Sequence, residues 1–127
     1  MALGPVGQIH ISVTDLDRSV DFYRDVLGIP LLFRVPGQPM AFFASGDVRL
    51  YLGVPSSPEW TSRCVLYFRV TDIDAEVDRL TGLGVRFAGP PQLAHRDGTS
   101  ELWLADCTDP DGHHILLMQE RARRLPE

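Results

Sequence analysis

A chain of 127 residues, 44% hydrophobic and 23% charged, suits one compact domain and is too short for two ordinary ones. A net charge of −5 leaves no electrostatic footprint for a nucleic-acid partner. No run of about eighteen apolar residues occurs, which argues against a membrane-spanning helix.

Residues 8–13 alternate, with Ile9, Ile11 and Val13 on one face and Gln8, His10 and Ser12 on the other, which predicts a half-buried strand. Thr14, Asp15 and Asp17 supply N-cap oxygens and acidic charge for a helix start. Leu16, Val20, Tyr23 and Leu27 then form an amphipathic stripe that Gly28 ends. Strands are predicted over 31–34, 40–44 and 48–54, the last two joined by a Ser45-Gly46-Asp47 turn. Residues 55–62, rich in Pro and Ser, read as a linker. A strand over 64–70 follows, then a helix marked by Ile73, Val77 and Leu80 that ends near Gly82 and Gly84. Three more strands are predicted over 85–88, 101–106 and 114–119, with 89–99 as a long loop of the kind found at ligand sites.

This order contains an internal repeat. Val13-Thr14-Asp15-Leu16-Asp17 recurs 57 positions later as Val70-Thr71-Asp72-Ile73-Asp74, and Leu27-Gly28 recurs as Leu83-Gly84. The predicted architecture is therefore α+β: two βαβββ modules, 1–54 and 63–120, with a linker at 55–62 and a tail at 121–127. One helix cannot cover both faces of a sheet, so the two curved mixed sheets are expected to share a concave cup, with the helices outside.

The two cysteines, Cys64 and Cys107, lack CxxC spacing and read as two buried thiols in a reducing compartment. The first residues carry neither a basic segment nor a long apolar run, so the protein is expected in the cytoplasm.

The stretch from Asp15 to Gly28, Asp-Leu-Asp-Arg-Ser-Val-Asp-Phe-Tyr-Arg-Asp-Val-Leu-Gly, and the turn Asp109-Pro110-Asp111-Gly112 resemble the vicinal-oxygen-chelate superfamily of glyoxalases, bleomycin-resistance proteins and extradiol dioxygenases. The resemblance covers nearly the whole chain. The Asp-Pro-Asp-Gly turn itself reads as structural, because Pro presets the bend and Gly accepts positive φ.

Metal-dependent members of that superfamily draw ligands from up to four strand positions facing the cup. The resemblance places these at Gln8, Tyr51, Val65 and Leu116. Val65 and Leu116 have no donor atom, and one amide with one phenol is a poor set for a divalent cation. The resemblance therefore implies a lost metal site, and no cofactor is expected.

Alternation places His10 on the face of Gln8 and His114 on the face of Leu116. The candidate ligand-binding residues are Gln8, His10, Arg49, Tyr51, Tyr67, Arg69, His114 and Met118, with Trp103 left unoriented by apolar neighbours on both sides. Arg49 and Arg69 could meet an acidic ligand group or pair across strands. His113 is expected to face the opposite side and His95 to lie in the long loop.

Two small-molecule functions fit this pattern, beside a third reading as an interaction or regulatory module whose cup is vestigial. One is metal-independent binding of a small planar or amphipathic molecule, as the bleomycin-resistance members do. The other is a lyase, isomerase or dioxygenase with a rearranged metal site built on His10 and His114, possible completion coming from Glu101. The resemblance also implies a homodimer.

Overall fold

The repeated Val-Thr-Asp marks two copies of one folding unit. The computed structural model describes residues 2–123, and the chain divides into two compact units between Cys64 and Val65. The first contains β1 (Gln8–Ser12), α1 (Leu16–Asp21), β2 (Leu31–Arg34), β3 (Met40–Ser45) and β4 (Val48–Gly53). The second contains β5 (Val65–Arg69), α2 (Ile73–Gly82), β6 (Gln92–Arg96), β7 (Ser100–Thr108) and β8 (His114–Ala122). The sheets have strand orders β1-β4-β3-β2 and β5-β8-β7-β6. In each, the first strand of the unit runs parallel to the last, and the remaining pairs are antiparallel.

The repeat has a physical cause at each helix start. Asp15 is extended and its carboxylate accepts the Arg18 N–H at 3.1 Å. Asp72 does the same for Ala75 at 3.1 Å. Each satisfies one of the free amides of a first helical turn. Gly28 and Gly84 then adopt φ of 79° and 94°, a left-handed conformation that ends a helix without a Cβ clash. The first helix is not uniform: α1 opens into a π-helical turn over Phe22–Val26, where Leu27 N–H donates to Phe22 C=O at 2.9 Å. Leu16, Val20 and Tyr23 of the predicted stripe are buried, and Leu27 is half-buried.

Each helix covers one face of its sheet. In the first unit, Val20 and Tyr23 join a core with Ile11, Phe43, Leu50 and Leu52. In the second, Ile73 and Leu80 join Ala105, Cys107, Ile115 and Leu117. Burial, followed by the nearby Asp106 and Asp109 carboxylates, pushes the Cys107 thiol up to about 11, so it is a neutral core group. Cys64, expected to be buried, is half-buried at the end of the first unit.

The sequence reading erred most between the second helix and β7. Residues 85–88 form only an isolated bridge, Phe87 to Cys107. The strand β6 lies inside the expected 89–99 loop and includes His95. All five of its residues are exposed, so it carries no burial pattern; its hydrogen bonds to β7 define it. Of the expected tail, Arg121 and Ala122 continue β8, while 124–127 lie outside the described residues.

The Asp-Pro-Asp-Gly turn holds the β7–β8 connection together. Asp109 is 5% exposed, and its Oδ1 accepts the N–H groups of Asp111 and His113, each at 2.9 Å. Asp109→Ala would leave both amides without this acceptor in a buried place, at a cost of about 2–3 kcal/mol. Urea denaturation should show the midpoint falling with an unchanged slope; wild-type stability would refute this role.

Candidate ligand-binding site

The face of the first sheet away from α1 carries a row of rings, one per strand. Register pairs His10 with Tyr51 and Tyr51 with Phe42, and Phe33 opposes Phe42. Phe33 and Phe42 stack with centroids 4.8 Å apart, and Phe42 and Tyr51 stack at 4.9 Å. His10 completes the row, tilted 52° against Tyr51 at 4.6 Å. Near-parallel rings lying flat on a sheet could not approach so closely, so they stand upright in an offset stack.

Gly53 makes room for this arrangement. A Cβ built there would lie 2.6 Å from Tyr51 Cε1 and 2.8 Å from its hydroxyl oxygen. The Tyr51 ring therefore leans along β4 over Gly53, where a side chain would force it to move.

The 55–62 segment, expected to be a spacer, folds onto the outer edge of β1. Ser62 N–H donates to Ser12 Oγ at 2.8 Å, and Ser62 Oγ donates to the His10 carbonyl at 3.0 Å. Ser12 Oγ also lies 3.2 Å from His10 Nε2. His10 Nδ1 is buried and has no hydrogen-bond partner among the described residues. His10 is thereby fixed from three sides, by Tyr51, Ser12 and the chain of Ser62.

These elements enclose an open groove of about 710 Å³ within the first unit. Gln8, His10, Tyr51 and Met40 belong to its sheet face. The loops add Gln38 and Pro39 on one side and Val54, Pro55, Ser56 and Trp60 on the other. The lining is mostly apolar, with amides, one imidazole and hydroxyls, as small-molecule sites are. Of the sequence candidates, Gln8, His10 and Tyr51 line the groove, whereas Arg49 does not. Arg49 shares their face and lies over Phe42, its Cζ 5.5 Å from the ring centroid. Sequence reasoning missed Met40, Val54 and Trp60; an exposed Trp in a Pro- and Ser-rich stretch was the available signal for the last.

In the second sheet, Val65, Tyr67 and Arg69 of β5 pair with His114, Leu116 and Met118 of β8. All six lie on the face away from α2. His114 Nδ1 and Asp106 Oδ1 are 2.9 Å apart, which orients the imidazole and leaves its Nε2 free of that contact. Neither Arg49 nor Arg69 has an ion pair among the described residues.

Trp103 is corrected to the opposite, helix-covered face. It pairs with Gln119, whose amide grips the start of α2 through Ile73 N–H and Thr71 C=O, each at 2.9 Å. Arg121 lies over its ring at 5.1 Å. Glu101 occupies that same side, paired with Arg121 in register, and so cannot join His114 in a metal site. Hydrogen bonds from Trp103 and Arg96 hold the Glu101 carboxyl below its usual range.

The positions where the family resemblance puts metal ligands do not fit a metal. Val65 and Leu116 present hydrocarbon, and Val65 is 57% exposed. Among the described residues no three His, Cys, Asp or Glu side chains converge as a metal-binding group.

Two β-α-β-β-β units, each with one helix packed on one face of a four-stranded mixed sheet, define the fold class of this chain. The chain belongs to the Glyoxalase/Bleomycin resistance protein/Dioxygenase superfamily, whose model matches residues 6–117. It is 30% identical to the metallothiol transferase FosB of Lysinibacillus sphaericus, covering 95% of this chain and 89% of that one. Its structure is similar to that of TnmS3, an antibiotic binding protein from Streptomyces, with TM-score 0.75 and 29% identity over 95% of this chain and 99% of that one. A superfamily member from Sphaerobacter thermophilus gives TM-score 0.76 and 25% identity over 92% and 98% of the two chains.

Gly53→Ala tests the placement of Tyr51. The new methyl should displace the ring, changing the near-ultraviolet circular dichroism while leaving the far-ultraviolet spectrum intact. Unchanged near-ultraviolet signal would show that the ring does not lie over Gly53.

Proposed function

We propose that this protein binds a small, flat or amphipathic molecule in the groove of its first unit, without a metal. The observation that carries this reading is the contrast between two sets of positions. The groove keeps His10, Tyr51 and Gln8 as polar and aromatic contacts, while Val65 and Leu116 offer a cation no electron pair. The similarity to TnmS3 supports a binding role. Tyr67, Arg69, His114 and Met118 form a second candidate contact surface on the other sheet.

The ring row gives the site its preference for flat ligands, because ring edges present partly positive C–H groups to a ligand's π face. Tested with 1-pyrenemethanol, the protein should raise the probe's fluorescence anisotropy saturably. Tyr51→Ala should weaken binding about tenfold, which corresponds to about 1.4 kcal/mol. Elemental analysis of untagged protein should find no stoichiometric Fe, Ni, Zn or Mn; one metal per chain would overturn the metal-free reading.

A second reading is an enzyme of the lyase, isomerase or dioxygenase type. It draws on the Asp106-oriented imidazole of His114 and on the similarity to a transferase. His10→Ala with His114→Ala would then abolish turnover of the true substrate.

The protein is further proposed to be a cytoplasmic homodimer. Exposed Leu32 and Phe33 in the first unit and Val65 and Tyr67 in the second supply apolar area for a partner surface. Among the described residues, no helix is long and apolar enough to cross a membrane. Light scattering at micromolar concentration should give twice the 14.2 kDa chain mass; a monomer would refute the dimer.

A further inference from the structure

Trp60 is the largest side chain at the rim of the groove, and it is 65% exposed. Its indole has neither a ring contact nor a hydrogen bond among the described residues. Leaving so much apolar surface in water forgoes the stabilisation that burial would bring.

The base on which this indole stands is well anchored. Pro58 opens a short 3-10 turn over Pro58–Trp60. Trp60 N–H donates to Ser57 C=O and Thr61 N–H to Pro58 C=O, each at 3.1 Å. Two residues beyond Trp60, Ser62 is pinned to Ser12 and to the His10 carbonyl. The backbone thus delivers the ring to the lip of the groove, and only its side-chain torsions remain to be set.

The chemistry of the lining is equally selective. No carboxylate or guanidinium group borders the groove. A charged group seated there would lose water and meet no carboxylate or guanidinium in the lining. Met40, Val54 and Pro39 offer hydrocarbon, and Gln8 and Gln38 offer amides that serve as donor or acceptor.

We propose that Trp60 is the closing wall of this site and its specificity-determining residue, folding its indole against an uncharged ring system seated on Tyr51 and Met40. This rests on the reading of the groove as a ligand site and adds to it the ligand's charge class and the residue that retains it. Exposure of Trp60 is then the unliganded half of a clamp whose other half is Tyr51. The clamp discriminates by flatness through two aromatic walls and by charge through a lining that holds no carboxylate or guanidinium.

The test uses the full chain carrying Trp103→Phe, so that Trp60 is the sole tryptophan of the two in the sequence. Three probes share one ring system: 1-pyrenemethanol (neutral), pyrene-1-carboxylate (anionic) and 1-pyrenemethylammonium (cationic). The neutral probe should quench Trp60 emission over the concentration range in which its own anisotropy rises. It should bind at least tenfold more tightly than either ion. Trp60→Ala should weaken it at least tenfold, chiefly through faster dissociation, and Trp60→Phe should restore most of the loss.

Full affinity in Trp60→Ala, with Tyr51→Ala still impaired, would overturn the clamp while leaving the ligand site standing. Equal affinity for all three probes would overturn the charge assignment. A Trp60→Ala variant that lost only self-association would reassign the indole to a subunit contact. If the unaltered protein bound none of the probes, the ligand-site reading itself would fall, and this inference with it.

Discussion

A four-stranded sheet has two faces, and a single helix can bury only one of them. In each unit that helix packs on the apolar residues of one side of the strands, Ile11, Phe43, Leu50 and Leu52 in the first and Ala105, Cys107, Ile115 and Leu117 in the second, leaving the other side to its own lateral contacts. In the first unit the lateral contacts are the stacked rings of Phe33, Phe42, Tyr51 and His10. Rings that shield one another can remain on a face that the helix does not cover, and under the binding role proposed above the same rings form the surface that a small molecule meets. Stability and recognition therefore draw on one set of side chains.

Polar detail then determines what the open face can do. Ser62 closes the outer edge of β1 and holds His10, while Gly53 lets Tyr51 lean along its strand. On the second sheet, Asp106 orients His114, yet Leu116 on the same face has no donor to contribute. An oriented imidazole beside hydrocarbon is suited to hydrogen bonding with a ligand, and among the described residues no group of three His, Cys, Asp or Glu side chains forms around it.

The features legible in the sequence were those with a local cause. Val13-Thr14-Asp15 and Val70-Thr71-Asp72 announced two helix starts because an N-cap is a contact between near neighbours in the chain. Gln8 and Tyr51 came from the family resemblance, and His10 joined them because alternation fixes which face a strand residue takes; all three line one groove. What escaped was decided by distant partners. Strand β6 exists through its pairing with β7, and Gln-Leu-Ala-His-Arg carries no periodicity of its own. Trp103 was unreadable because its neighbours are apolar on both faces, and Gln119 and Arg121 orient it from another strand. The groove wall from 55–62 was hidden for the same reason: only Ser12 and the His10 carbonyl reveal that this segment folds back.

That fold-back has an evolutionary consequence. Ser62 holds the outer edge of β1 with a side-chain hydroxyl and one amide, and the Cys64 thiol donates to the same His10 carbonyl at 3.4 Å, so the seal rests on a short anchored segment instead of a fifth strand. Insertions or replacements upstream of it, between Val54 and Thr61, can remodel the rim while the strand register beneath stays fixed. Under the ligand-binding role proposed above, a protein built on this plan can change what it captures by rewriting a short surface segment, with its hydrophobic interior untouched.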